Sequence, residues 1–337
     1  MGFHLPLIFA ILSLAAVALA NHAAQPAPQL YWKSVLPNTQ MPRAISELLH
    51  TDSTNEEKST YMNAVGNGKG KPEIFPLGIK GYNQKQYGGG IKGYNQKRYG
   101  KGSPSSDNQL LHYKDFALFF FEKDMRPGAT MKFQFPRNSN TATFLPRESA
   151  QSIPFTSNKL PEIFNHFSVK PTSVEAKTIK QTIEECKAPG IKAEEKYCAT
   201  SLESMVDFST SKLGTRNVEA ISTEVLERGA TMSMHNYTTM PGLKKLAGDK
   251  VVVCHKENYP YAVFFCHAIK QTAAYVLSLK GDDGEKVKAV TICHLDTSEW
   301  NPEHLSFKIL NVKPGTVAIC HFISTDGIVW VPKHKSA

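Results

Sequence analysis

The chain has 337 residues, 41% of them hydrophobic and 20% charged, which is enough apolar content for a real core. Its formal net charge of +9 is concentrated rather than spread: eight basic residues and one acid, Glu73, lie between Lys69 and Lys101. Taken with the secretory leader read next, a short basic segment argues against nucleic acid as a partner and leaves a polyanionic cell-wall polymer as a candidate.

In chain order, the first element is an apolar run, Leu5–Leu19, closed by Ala18-Leu19-Ala20 in the small-x-small form of a signal-peptidase site. Residues 1–20 are expected to be a secretory signal peptide, cleaved before Asn21. The run is too short for a membrane anchor, and no later segment is apolar enough to span a bilayer. Residues 21–111 are predicted to form a flexible arm, rich in Pro, Gly, Asn, Ser and Lys. One short helix is predicted within it, after Pro42, where Ile45, Leu48 and Leu49 share a face.

The arm contains two adjoining twelve-residue repeats, 78–89 and 90–101, identical at ten of twelve positions. Two copies with one aliphatic residue each cannot bury a shared face, so the repeat is predicted to be an exposed, flexible segment. Each copy carries two tyrosines, Tyr82 and Tyr87 in the first, Tyr94 and Tyr99 in the second.

Composition changes near residue 112, and a domain is predicted over 112–332. The aromatic run Phe116–Phe121 and the alternating Met131–Phe135 segment read as strands. Between Glu175 and about Glu227 helical spacing recurs, with Leu202, Met205 and Val206 on one face. From Val251 onward short apolar runs alternate with Gly, Asp, Asn and Pro. The expected class is α+β, β-rich toward its C-terminal end. Asn236-Tyr237-Thr238 is the single N-glycosylation sequon, with Asn236 the acceptor.

Four Cys-His dipeptides carry the chemistry: Cys254-His255, Cys266-His267, Cys293-His294 and Cys320-His321, with ten, twenty-five and twenty-five residues between successive pairs. Each ends an apolar run. Neighbouring side chains on a strand point to opposite faces, so each cysteine can turn toward a partner sulfur while its histidine turns the other way. A zinc-thiolate site commonly uses C-x₂₋₄-C spacing, which is absent, and an even cysteine count in a secreted chain favours disulfides. Cys186 and Cys198, close in sequence, are expected to pair with each other. The four dipeptide cysteines then pair among themselves in one of three ways, between which spacing does not choose. For His255, His267, His294 and His321 the residues alone leave two readings equally open, ordinary strand histidines or a metal site. An all-nitrogen site would favour Cu²⁺ among the divalent ions.

This spacing of four Cys-His dipeptides resembles that of the BURP-domain family of plants. Phe119-Phe120 is similar to the family's opening motif, Trp330 stands where a late tryptophan is usual, and Tyr31–Pro37 resembles a segment of its dehydration-responsive and unknown-seed-protein branches. The resemblance implies a protein of the apoplast or vacuole with disulfide-bonded cysteines and Cys-His histidines able to bind copper. Some members are copper-dependent peptide cyclases acting on short core peptides, often repeated in their own arm; others are stress-, seed- or wall-associated proteins without known catalysis. The repeats match the first kind. They suggest cross-linking of Tyr87 and Tyr99, with Gln84–Tyr87 and Gln96–Tyr99 as minimal cores and Tyr82 and Tyr94 as rival groups. A non-enzymatic binding protein is the alternative.

Overall fold

A computed structural model describes residues 27–49, 119–133, 135, 142–190, 194–227 and 235–333. The predicted leader, both repeats and their residues Tyr82, Gln84, Tyr87, Tyr94, Gln96 and Tyr99 lie outside the described residues. Among the described residues, no helix is long and apolar enough to cross a membrane.

Among the described residues, twelve strands form two antiparallel sheets. In the first, β1 (Thr130–Phe133), β5 (His235–Thr239), β9 (Thr272–Gly281), β10 (Lys286–His294) and β11 (Ile319–Phe322) lie in that order, with β4 (Glu224–Glu227) beside β10 and β6 (Lys244–Ala247) beside β9. The second runs β2 (Glu194–Ala199), β8 (Val263–Ile269), β7 (Val252–Glu257), β12 (Ile328–Pro332), β3 (Val218–Ile221). Period-two alternation explains the layering, because both faces of the central strands are apolar. Val253, Val329 and Val331 of one sheet meet Ala274, Val290 and Ile292 of the other in the core between the sheets. The intervening residues, Val252, Cys254, Phe264, Cys266 and Trp330, turn outward into a second core under the helices. On the far face of the first sheet, Phe133, Tyr237, Tyr275, Cys293, Cys320 and Phe322 build a third, largely aromatic core.

The helices obey local rules. Helix α6 (Leu202–Leu213) begins with a capping box in which Ser201 and Ser204 exchange 3.2 Å bonds between side chain and backbone N–H. It ends at Gly214, whose φ of 71° needs a residue without a Cβ. Leu202, Met205 and Val206 are fully buried on the face predicted for them. Helix α5 (Val174–Lys187), capped by Ser173, buries Ala176, Ile179 and Ile183 at the same helical spacing. Shorter helices span Arg147–Ser152 (α3), Leu160–His166 (α4) and Leu305–Leu310 (α7). The fold is thus α+β and β-rich.

Two expectations need correction. Part of the predicted arm is built into the fold: α1 (Ala27–Val35) and α2 (Arg43–Ser46) lie on α6 and the second sheet, with Trp32, Leu36, Ile45 and Leu48 buried. The Trp32 ring sits 5.5 Å from that of Trp330, and its Nε1 donates to the Thr39 carbonyl at 3.0 Å. Polar composition hid this segment, because its few apolar side chains are partnered by residues far along the chain. The described part of Phe116–Phe121 is not a strand either. Phe120 makes a single bridge to Cys320, and the chain then turns into a 3-10 helix, Glu122–Met125.

Candidate metal centre

The four Cys-His dipeptides sit on four strands, two in each sheet. Cys254 lies directly opposite Cys266 across β7 and β8, and Cys293 opposite Cys320 across β10 and β11. Both pairs are disulfide-bonded, Cys186–Cys198 joins α5 to β2, and no cysteine is free. Only Cys293-His294 closes its strand; the other dipeptides lie one or two residues inside the ends of theirs.

Since each cysteine faces an outer core, each histidine takes the alternate position and faces the space between the sheets. Val253 opposes His267 and Ile292 opposes His321, so in each hairpin the two histidines are diagonal neighbours on one face. His255 Nε2 lies 3.2 Å from His267 Nε2, and His294 Nε2 lies 3.3 Å from His321 Nε2. All four side chains are buried. The pairs sense each other, since charge on His267 would disfavour charge on His294 and His321. They meet as two pairs rather than as one cage: no three of these residues bring ligand atoms within 4.8 Å of one another.

The surroundings orient the rings. His321 Nδ1 donates to the Phe322 carbonyl at 3.2 Å, which leaves the lone pair on Nε2, the atom facing His294. A Glu194 carboxylate oxygen lies 2.9 Å from His267 Nδ1, though off the ring's donor direction. His294 Nδ1 is buried without a hydrogen bond, so either neutral tautomer leaves it unsatisfied. Burial pushes the His294 imidazole well below its ordinary range and takes His321 down to about 4, keeping both neutral at physiological pH.

Neutral imidazole is the form that binds metal. Two nitrogens about 2.0–2.1 Å from one tetrahedral ion stand about 3.3 Å apart, which each pair matches. The residues therefore fit copper or a similar imidazole-seeking ion as two-nitrogen sites.

Sequence reasoning missed Trp300 and His304, which close this end of the sandwich together with Phe119. Trp300 packs 4.9 Å from His294 and 4.7 Å from His304; Phe119 packs 5.6 Å from His304 and 6.3 Å from His321. His304 is fully buried, its Nδ1 accepts from the Ser306 backbone N–H at 3.2 Å, and burial takes its pKa down to about 3. None of these residues belongs to a Cys-His dipeptide, and no spacing rule pointed to them.

Residues 118–332 match the BURP domain, and the chain belongs to the BURP-domain family. It is 40% identical to BURP domain protein RD22 of Arabidopsis thaliana over 98% of this chain and 99% of that protein. It is 40% identical to BURP domain-containing protein 5 of Oryza sativa subsp. japonica over 94% of this chain and 90% of that protein. To Protein RAFTIN 1B of Triticum aestivum it is 31% identical over 94% and 93%.

Proposed function

We propose that this is a secreted copper protein that oxidatively cyclises tyrosines of its own repeats, with His255, His267, His294 and His321 holding the metal. The observation that carries the reading is the pair of buried diimidazole sites on facing sheets, 3.2 and 3.3 Å across. Three disulfides suit an oxidising compartment such as the apoplast or a vacuole. The chain that carries the repeats rejoins the described fold at Phe119, beside His304 and His321. Tyr99 precedes Phe119 by twenty residues, and a coil of that length, which composition predicts for the arm, would span about 25 Å on average.

Ring closure at a repeat tyrosine breaks a phenol O–H and an aliphatic C–H bond and forms one C–O bond. Two electrons and two protons pass to dioxygen as the oxidant. Copper would supply the one-electron chemistry for that transfer. The residues of the chain orient the imidazoles, exclude water with Trp300 and Phe119, and bring the tethered substrate close, which itself lowers the barrier.

Two results test the proposal. Double variants His255→Ala/His267→Ala and His294→Ala/His321→Ala should each lose stoichiometric Cu²⁺ uptake, read by elemental analysis, with all three disulfides intact by peptide mapping. Unchanged copper content in both would remove these histidines from the site. The copper-treated wild type should lose the mass of two hydrogens per repeat, and Tyr87→Phe/Tyr99→Phe should not, since C–O closure needs the phenol oxygen. An equal loss in the variant would move the reaction to Tyr82 and Tyr94. No loss in the wild type would leave a non-enzymatic wall or seed binding protein.

A further inference from the structure

A second cluster of ligand-type side chains lies on the first sheet, away from the Cys-His histidines. His235 opens β5, and Asp282 and Asp283 form the turn between β9 and β10. One ligand atom from each of the three lies within 4.8 Å of the others. His235 Nδ1 is 3.0 Å from Asp282 Oδ1, and its Nε2 is 3.2 Å from Asp283 Oδ2. Both ring nitrogens thus face carboxylates. A neutral ring would turn a lone pair toward one of them, so the arrangement calls for a proton on each nitrogen or a metal cation in place of one proton.

Asp283 discriminates between these. Its side chain is more than nine-tenths buried, and Oδ2 accepts no hydrogen bond although His235 Nε2 is so near. A proton shared between the two would put Oδ2 along the N–H direction. Two ligands of a common ion instead aim their lone pairs at a third point, and tetrahedral ligands about 2.0–2.1 Å from an ion stand about 3.3 Å apart. The carboxylates are held in place independently of any ion. Asp283 Oδ1 accepts from the Glu285 backbone N–H at 3.0 Å, and Asp282 Oδ2 accepts from Asn236 Nδ2 at 3.1 Å. Asp282 is half exposed, which leaves an entry path and room for water as a further ligand.

We infer that His235 Nε2 and Asp283 Oδ2 hold a divalent cation of the zinc class, with Asp282 accepting from Nδ1–H to orient the ring, so that the ion clamps β5 to the β9–β10 turn. An imidazole beside a carboxylate suits Zn²⁺ better than Ca²⁺, which takes only oxygen. The site is independent of the Cys-His histidines and of any cyclase activity.

The test uses the full-length protein stripped with EDTA and dialysed against Zn²⁺, with bound zinc read by mass spectrometry of the metal. Wild type should hold one zinc equivalent more than His235→Ala or Asp283→Asn. Asp282→Asn, at an exposed position that does not endanger the fold, should weaken that zinc about tenfold or more. Zinc should raise the melting temperature of wild type and not of Asp283→Asn. Equal zinc content and affinity in wild type and all three variants would overturn the inference and leave a doubly ion-paired imidazolium. Copper uptake by the same variants should stay at the wild-type level. Loss of copper binding only in the Cys-His variants, with this zinc retained, separates the two sites.

Discussion

Trp32→Ala is expected to destabilise the protein by about 3–5 kcal/mol, the range for emptying a large aromatic site in a core. Trp32 is 3% exposed, lies against the fully buried Trp330, and uses its indole N–H to fix Thr39. Thr39 in turn donates through Oγ1 to the Val218 carbonyl at 2.7 Å, and the Phe144 backbone N–H donates to the Leu48 carbonyl at 2.8 Å. Tyr31 donates to Asp207, which also pairs with Arg147 at 2.6 Å. These exposed polar contacts add little energy, but they fix how the segment lies on α6. A chain beginning at residue 118 keeps the whole matched domain yet uncovers Trp330 and Leu202, so it should be less stable still and prone to aggregate. Urea unfolding followed by far-ultraviolet circular dichroism gives the comparison. A wild-type midpoint for Trp32→Ala, or for the shortened chain, would show that the segment merely rests on the domain.

The second large effect concerns sulfur. Replacing Cys254 and Cys266 together by alanine should cost about 2–5 kcal/mol, and the same holds for Cys293 with Cys320. Each bridge ties the two strands whose next residues carry one histidine pair. Copper affinity should therefore fall along with stability in both double variants. Removing Cys186 and Cys198 gives the contrast, since that bridge joins α5 to β2 and touches no Cys-His dipeptide. It should lower the unfolding midpoint comparably while leaving copper binding unchanged. Equal copper affinity across all three double variants would mean that sulfur and imidazole are not linked.

Much of the centre was legible because its rule is local. Adjacent residues on a strand face opposite ways, so a Cys-His dipeptide announces a covalent face and a polar face together. The helical face of Leu202, Met205 and Val206 and the turn of helix after Pro42 were legible for the same reason. What was hidden depends on distance along the chain. Trp32 meets a tryptophan 298 positions later, Glu194 reaches His267 across a strand pair, and His235 meets Asp282 after 47 residues. Which cysteine joins which was also non-local, since it follows from strand pairing and not from spacing. Phe119 read as part of a strand because an aromatic run looks alike in a sheet and in a core lid. It is the lid, resting on His304 and His321.

The placement of sulfur outside and imidazole inside also gives folding an error check. A hairpin that paired one residue out of step would turn a cysteine into the space between the sheets and a histidine into an outer core. Its sulfurs would then lie on opposite faces and could not join. Oxidation of Cys254 with Cys266, and of Cys293 with Cys320, thus locks in only those hairpins whose register also brings the histidines together. Covalent closure thus serves as quality control on the geometry of the site, completed before any metal need arrive.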